Sequence, residues 1–230
     1  MKQKPNKMKP NTAELRAMVP PLALSVAEQV YQDVQDWINE PVVGPRIGGE
    51  IIFPQTPDKL RWIAQAPWYF VPFVGWVISK VPTRGFALEI GLARGGTHYM
   101  LTQLFEHTIS VELDVTLVGR YAITNSMDRD TIICGSSTDE ATVAVLRELL
   151  DGIELDFLLI DGDHHYPAAE SDLMNYYPLV RPGGVCALDD YRSHGSIRKL
   201  VHAARRGLIE GIEIPEPTLF GQIVCWQKPE

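Results

Sequence analysis

Short apolar runs alternate with helical stretches from Phe86 onward, and this alternation constrains the fold more than any other feature of the sequence. Such alternation is typical of a parallel sheet whose strands are joined by helical crossovers. The predicted strands are Phe86–Ile90, Thr108–Glu112, Thr131–Cys134, Leu155–Ile160 and Val185–Asp189. The predicted helices are Gly96–Phe105, Asp114–Ala122, Thr138–Leu150, Pro167–Val180 and Gly195–Arg206.

The end of the chain departs from this alternation. Ile212–Ile214 and Phe220–Trp226 are joined by a loop too short to contain a helix, which predicts an antiparallel hairpin at the sheet edge. We therefore expect an α/β fold of the Rossmann-like type, with a seven-stranded, mainly parallel sheet and a C-terminal antiparallel hairpin.

The sequence before the sheet does not alternate between strands and helices. We expect residues 1–20 to form a disordered or extended tail, residues 21–84 a helical, aromatic extension over the substrate site, and residues 85–230 the sheet domain. Ser25 and Glu28 have the spacing of a capping box and predict a helix over about Ser25–Asn39. Residues 42–52 read as loop, and Thr56–Asp58 predicts a second helix start.

The most apolar segment contains the aromatic run Trp68–Trp76. It is shorter than a bilayer span and is broken by Pro67 and Pro72, so we expect no membrane anchor. The segment is either a cover packed on the sheet, the wall of a substrate pocket or a dimer contact. If its aromatic side chains are exposed, they favour a homo-dimer or a higher homo-oligomer.

Charge and cysteine content narrow the class of protein. A formal net charge of −8 argues against general nucleic-acid binding, because nucleic acids bind basic surfaces. Cys134, Cys186 and Cys225 fall inside apolar runs without Cys-x-x-Cys spacing. They predict reduced cysteines in a cytoplasmic protein rather than disulfides or a metal site.

A glycine-rich turn follows the first predicted strand and reads Gly91-Leu-Ala-Arg-Gly95-Gly96-Thr97. Glycine permits a tight bend and lets a ligand approach the backbone, while the following helix offers N–H groups. The spacing differs from the Gly-x-Gly-x-x-Gly of dinucleotide-binding enzymes. Glu89 precedes the turn and suits a cationic or hydroxyl-bearing ligand better than a pyrophosphate.

Polar residues also end the second and third predicted strands. Glu112 follows the glycine turn by about twenty residues, where an acid can accept hydrogen bonds from ribose hydroxyls. Asp114 fits a helix N-cap better. The hydroxyls of Ser136 and Ser137 either meet an adenine edge or cap the next helix.

Carboxylates follow the last two predicted parallel strands. Asp161 ends one strand and the pair Asp189 and Asp190 ends the next, so the three can converge at one sheet edge. Three oxygen ligands favour a hard cation, Mg²⁺ first, with Mn²⁺ or Ca²⁺ as alternatives. If these residues hold no cation, Asp161 caps the following turn, and Asp189 and Asp190 are solvated loop acids.

Histidines accompany these acids. An imidazole exchanges its proton near neutral pH, so His164 is the first choice for a general base. His194 and His165 are second choices, with solvated loop positions as the alternative. The sequence predicts no site of two histidines and one carboxylate of the kind that binds iron in hydroxylases.

Together these features resemble class I S-adenosylmethionine-dependent methyltransferases over about Gly85 to Lys228. The glycine turn resembles that of the cephalosporin hydroxylase and methoxylation family. The run Asp161–Tyr166, with Asp189–Tyr191, is similar to metal-dependent small-molecule O-methyltransferases of the macrolide-sugar and catechol type. In catechol-type relatives the last metal ligand is commonly asparagine, whereas this chain has Asp190.

The resemblance implies a role for each matching residue. Glu89, Gly91 and Gly95 would line the methionine part of the cofactor, Glu112 would bind its ribose, and Ser136 and Ser137 its adenine. Gly96, Thr97 and Asp161 would also contact the cofactor. Asp161, Asp189 and Asp190 would hold the metal. The implied activity is methyl transfer to a small-molecule hydroxyl on a sugar, polyketide or catechol-like diol.

Three other functions stay open at this point. They are a metal-independent methyltransferase, a cofactor-binding protein without catalysis, and a nicotinamide-dependent oxidoreductase.

Overall fold

A seven-stranded sheet organises the computed structural model, which describes residues 12–40, 46–47, 50–51, 61–124 and 130–230. Its strands are β3 Phe86–Ile90, β4 His107–Glu112, β5 Asp130–Cys134, β6 Leu155–Ile160, β7 Val180–Leu188, β8 Thr218–Phe220 and β9 Ile223–Gln227. Their order in the sheet is β5-β4-β3-β6-β7-β9-β8, and all neighbouring strands are parallel except the two pairs that include β9. A separate antiparallel pair consists of β1 Arg46–Ile47 and β2 Glu50–Ile51. The predicted fold class is confirmed.

Eight α-helices are described. They are α1 Thr12–Ala17, α2 Pro21–Asn39, α3 Pro67–Lys80, α4 Gly96–Leu104, α5 Val115–Thr124, α6 Glu140–Leu150, α7 Tyr166–Tyr176 and α8 Gly195–Arg205, with a 3₁₀ turn at Tyr177–Leu179. Successive side chains of a strand point to opposite faces, and the core divides accordingly. Ala87 and Phe157 pack with α2, α3 and α4, whereas Leu88 and Leu158 pack with α6, α7 and α8.

The aromatic segment is helix α3, and it packs on the sheet. The ring centroid of Phe73 lies 6.3 Å from that of Phe157 and 6.1 Å from that of Phe220. Phe70, Phe73 and Trp76 are buried. A dimer contact through exposed aromatics is therefore not supported by this helix, and the interpretation as a cover packed on the sheet is correct.

The start of α2 differs from the prediction. The helix begins at Pro21, so Ser25 and Glu28 lie inside it and form no capping box. Proline suits the first turn of a helix because its missing N–H has no partner there in any case. The buried positions Ala23, Ala27, Val30, Val34, Trp37 and Ile38 follow helical spacing from this earlier start.

The region before α2 also departs from the prediction. Thr12–Ala17 are helical, where the sequence led us to expect a disordered or extended tail to residue 20. Leu15 is buried and anchors this turn on the core.

The predicted helix from Thr56 cannot be compared in full. Residues 52–60 lie outside the described residues, and residues 61–66 are not helical. The loop predicted for residues 42–52 also lies mostly outside the described residues, and contains the β1–β2 pair.

The terminal hairpin is confirmed, but one of its strands was misplaced. Ile212–Ile214 is not a strand, and β8 is Thr218–Phe220 instead. Pro215 and Pro217 separate the two segments, and proline cannot donate to a sheet ladder. Ile212 and Ile214 are buried in the core without strand pairing.

All three cysteines are free, as predicted, although Cys134 is exposed rather than in the core. Among the helices of the described residues, none combines the length and apolarity needed to span a bilayer.

Candidate functional site

The glycine turn lies where β3 ends and α4 begins, and two of its glycines are dictated by geometry. Gly91 has φ of 96°, and a Cβ there would lie 2.3 Å from the carbonyl oxygen of Asp161. Gly95 has φ of 76°, and a Cβ there would lie 2.2 Å from the ring of Tyr121. Both positions therefore exclude side chains, and the turn can approach a ligand with its backbone.

Gly96 and Thr97 face the N-terminal extension. The N–H of Gly96 donates to the carbonyl oxygen of Trp62 at 3.1 Å, and Thr97 Oγ1 donates to Gln65 Oε1 at 3.2 Å. Contrary to the expectation from the sequence, the first amide of α4 is thus already paired. Both residues line a small pocket together with Gln65, Glu89 and Gly91.

The carboxylate of Glu112 lies beside the glycine turn. Its Oε2 accepts hydrogen bonds from the N–H groups of Leu92 and Ala93, each at 3.0 Å, and its Oε1 accepts from Asp114 N–H at 2.8 Å. Each carboxylate oxygen has two lone pairs, so acceptor capacity is left for ligand hydroxyls. Asp114 caps α5 as predicted, since its Oδ1 accepts from Thr116 N–H at 2.8 Å.

A cleft of about 340 Å³ opens at the carboxyl ends of the strands. It is lined by five of the residues that the sequence predicted to bind a cofactor, namely Gly91, Glu112, Ser136, Ser137 and Asp161. The N-cap of α6 is Asp139, so Ser136 and Ser137 are not its cap residues. Ligands of parallel α/β sheets bind at this edge.

Glu89 is buried under the glycine turn within a polar chain. Its Oε2 accepts from Ser110 Oγ at 2.7 Å, and Ser110 Oγ lies 2.5 Å from His98 Nδ1. His98 Nε2 in turn lies 3.4 Å from Asp130 Oδ2. Burial raises the pKa of Glu89 to about 8 and lowers the pKa of His98. Glu89 is therefore a protonatable acid at the floor of the small pocket near neutral pH.

Asp161 and Asp189 are joined by one amide. Gln65 Nε2 donates to Asp161 Oδ2 at 3.2 Å and to Asp189 Oδ2 at 2.9 Å. Burial and then the neighbouring Asp189 charge raise the pKa of Asp161 well above its usual range. Burial likewise raises the pKa of Asp189, against hydrogen bonds from Gln65 and Asp190 that lower it. The pair is a site where negative charge is costly without a cation.

Asp190 turns toward two histidines. Its Oδ2 lies 3.1 Å from His164 Nε2 and 3.6 Å from His194 Nδ1. The two imidazole centroids are 4.4 Å apart. Asp190 adopts a left-handed backbone with φ of 58°, so its side chain leaves the strand in a different direction from that of Asp189.

The structure therefore groups the predicted residues differently from the sequence. Among the described residues, His164, Asp190 and His194 each place one potential metal-ligand atom within 4.8 Å of the other two. Asp161, Asp189 and Asp190 do not form such a group. The sequence indicated no iron site of two histidines and one carboxylate, yet the loop after β7 brings His194 beside Asp190 and His164.

His165 lies apart from this group. Its side chain is 88% exposed, and its Nδ1 lies 2.6 Å from Asp163 Oδ1. It occupies the solvated loop position that the sequence left as an alternative.

Several residues of the site were not predicted. Gln65, His98 and Ser110 are neutral residues outside any motif. Ser110 could have been predicted as a site residue from the alternation of polar and apolar residues in β4.

Comparison with known proteins matches the middle of the chain to one family. Residues 88–191 match the model of a family described as a methyltransferase domain. An uncharacterized protein of Acanthamoeba polyphaga mimivirus is 43% identical over 58 residues, which are 25% of each chain.

Solved structures share the fold at low identity. The O-methyltransferase NovP is 16% identical with a TM-score of 0.55, over 90% of this chain and 100% of that chain. CalS11, a TDP-rhamnose 3′-O-methyltransferase in calicheamicin biosynthesis, is 12% identical with a TM-score of 0.53, over 87% of this chain and 93% of that chain.

MycE from the mycinamycin biosynthetic pathway, in complex with Mg and SAH, is 18% identical with a TM-score of 0.53, over 71% of this chain. This chain spans 50% of the MycE chain and 25% of the mimivirus protein. The shared fold is that of class I methyltransferases.

Proposed function

We propose that this chain, which carries a methyltransferase domain on a class I fold, transfers a methyl group from S-adenosylmethionine to a hydroxyl oxygen of a small molecule. One observation carries the proposal. The cleft at the carboxyl edge of the sheet brings the glycine turn, Glu112 and Asp161 together around one volume.

The residues of the cleft fit the parts of this cofactor. Glu112 keeps acceptor capacity toward ribose hydroxyls, and Gly91 lines the same cleft. Ser136 and Ser137 line the same cleft and would contact the adenine. Glu89, Gly96 and Thr97 line the adjoining small pocket and would surround the methionine part, which carries an ammonium group. When bound, S-adenosylmethionine supplies an electrophilic methyl group on a sulfonium.

A divalent cation fits the carboxylates at the adjacent strand ends. Asp161 and Asp189 are close enough to share one amide donor. Burial and the charge of Asp189 raise the pKa of Asp161, while burial and the charge of Asp190 raise the pKa of Asp189. Asp190 follows Asp189 directly and would complete an all-oxygen set, which suits Mg²⁺ or else Mn²⁺ or Ca²⁺. When bound, such an ion supplies a positive charge that lowers the pKa of a substrate hydroxyl.

His164 would accept the proton of the reacting hydroxyl. Its Nε2 lies 3.1 Å from Asp190 Oδ2, so an Nε2–H there donates to the carboxylate and leaves the lone pair on Nδ1. Asp190 then stabilises the imidazolium that forms, as a carboxylate does for histidine bases generally. His194 contacts the same carboxylate and is the second choice for this role.

The acceptor belongs to the class of small molecules with neighbouring hydroxyls. NovP and CalS11 are O-methyltransferases, and CalS11 acts on the 3′ position of TDP-rhamnose. The net charge of −8 supports a small molecule over nucleic acid as the acceptor. The extension that includes Gln65 contacts the site directly, so it would select the acceptor.

Methyl transfer to a panel of nucleotide sugars, macrolide sugars and catechols tests the proposal by mass spectrometry. We expect product with a mass increase of one methylene, loss of product in EDTA, and loss in Asp189→Asn and His164→Gln. Turnover that EDTA leaves unchanged would remove the metal from the proposal. If the protein binds the cofactor but the panel yields no methylated product, the acceptor class proposed is wrong.

A further inference from the structure

We propose that His164, Asp190 and His194 form a binding site for a zinc-class transition-metal dication, which shares only Asp190 with the proposed all-oxygen set. The three ligand atoms are His164 Nε2, Asp190 Oδ2 and His194 Nδ1. Two of their separations are 3.1 Å and 3.6 Å, and all lie within 4.8 Å.

These distances suit a small dication without rearrangement of the backbone. Zinc binds imidazole nitrogen and carboxylate oxygen at about 2.0–2.1 Å, which in a tetrahedron places ligand atoms about 3.3 Å apart. The two separations of Asp190 Oδ2 bracket that value. The nitrogen atom His194 Nδ1 is buried and finds no hydrogen-bond partner among the described residues, so its lone pair is available.

The two loops that carry the ligands are held together by other hydrogen bonds. Ser196 Oγ donates to the backbone oxygen of His164, which ties the loop after β6 to α8. The N–H of His194 donates to the backbone oxygen of Asp190 at 2.9 Å, and Ser193 Oγ donates to Asp190 Oδ1. The ligand positions are therefore fixed before any ion binds, which reduces the entropic cost of binding.

The donor set selects the ion. Two imidazoles and one carboxylate favour Zn²⁺, Co²⁺, Ni²⁺ or Fe²⁺, whereas Mg²⁺ prefers oxygen ligands throughout.

Occupation of this site would act on the proposed reaction, and this part rests on the proposed function. A metal at His164 Nε2 requires the tautomer with the proton on Nδ1, so Nδ1 can no longer accept a substrate proton. The same ion takes Asp190 from the oxygen set. Zinc-class ions are therefore inhibitors of the methyl transfer that Mg²⁺ supports.

The binding test uses metal-free full-length protein titrated with Co²⁺, followed by its visible absorption and by competition with Zn²⁺ or Mg²⁺. We expect one Co²⁺ per chain, displaced by Zn²⁺ and not by millimolar Mg²⁺. Loss of one ligand in His164→Ala or His194→Ala should weaken Co²⁺ binding by roughly 100-fold or more, since even outer partners of metal ligands contribute 10–100-fold.

His165→Ala is the matched control, because His165 is adjacent in sequence but paired with exposed Asp163. Its Co²⁺ affinity should equal that of the wild type. His164→Gln and His194→Gln, checked by circular dichroism, serve if either alanine variant fails to fold.

Equal Co²⁺ affinity in the wild type, the His164 variants and the His194 variants would overturn the site, as would equal loss in His165→Ala. The titration needs neither cofactor nor turnover, so its failure is distinct from failure of the methyltransferase proposal.

Discussion

The side-chain amide of Gln65 donates to Asp189 Oδ2 at 2.9 Å, and both residues are buried although 124 positions separate them. The same nitrogen lies 3.2 Å from Asp161 Oδ2. A residue of the N-terminal extension thus supplies the hydrogen-bond donor between two carboxylates of the sheet edge. The extension is part of the candidate site.

Replacing Gln65 tests this link. Gln65→Leu removes the donor and leaves the carboxylates of Asp161 and Asp189 without it, which should lower the free energy of unfolding by about 1–3 kcal/mol in EDTA. Mg²⁺ should restore more stability to this variant than to the wild type if a cation can replace the amide. Urea unfolding in EDTA measures the loss of stability, and urea unfolding with Mg²⁺ measures how much of it the cation restores.

Gln103→Leu is the control for this experiment, since Gln103 is exposed on α4 and, among the described residues, its side chain bonds only the neighbouring Thr102, at 3.1 Å. Its stability should match the wild type. A Gln65→Leu protein as stable as the wild type in EDTA contradicts the assigned role.

Burial of Glu89 predicts a pH-dependent stability. The ordinary pKa of a glutamate, 4.5, is raised to about 8 in the folded chain. The folded state then holds a proton that the unfolded state releases, so this contribution is complete below pH 4.5 and declines as pH rises toward 8. Glu89→Gln should flatten the decline of the melting temperature with pH in this window. Identical pH profiles for the two proteins would show that Glu89 is not protonated in the fold.

The glycine turn should tolerate no side chain at Gly91. Gly91→Ala places a Cβ 2.3 Å from the Asp161 carbonyl oxygen at φ of 96°, so we expect destabilisation beyond the roughly 1–3 kcal/mol of such backbone strain. Gly119→Ala is the control, because a Cβ there meets no atom of the described residues within 4 Å and α5 favours alanine by roughly 1 kcal/mol. Thermal unfolding compares them, and equal melting temperatures would refute the steric argument.

Much of the fold was predictable because strands buried on both faces are continuous apolar runs. β3 and β6 match the prediction at both ends, and β4 and β5 start one residue earlier than predicted. The strand predicted at Ile212–Ile214 is wrong because isoleucines that are buried outside a sheet give the same apolar pattern as a strand. The prolines that follow were the correcting signal.

The site was predictable only as far as motifs reach. The turn at Gly91, the acid Glu112 and the strand-end acids each follow a strand, and parallel strands bring their ends to one edge. The direction of Asp190 was not predictable, because it depends on a left-handed backbone at a non-glycine residue. Gln65 could not be found, since nothing local marks a neutral amide that acts 124 residues away.

Calorimetry with S-adenosylhomocysteine tests the central claim most directly. The wild type should bind one equivalent saturably, and Glu112→Ala should weaken binding by about tenfold or more, since hydrogen bonds to a charged group contribute about 1.5–3 kcal/mol. Asp114→Asn keeps the cap of α5 and should bind like the wild type. Folded wild-type protein that gives no saturable binding would contradict the assignment of the cleft to this cofactor.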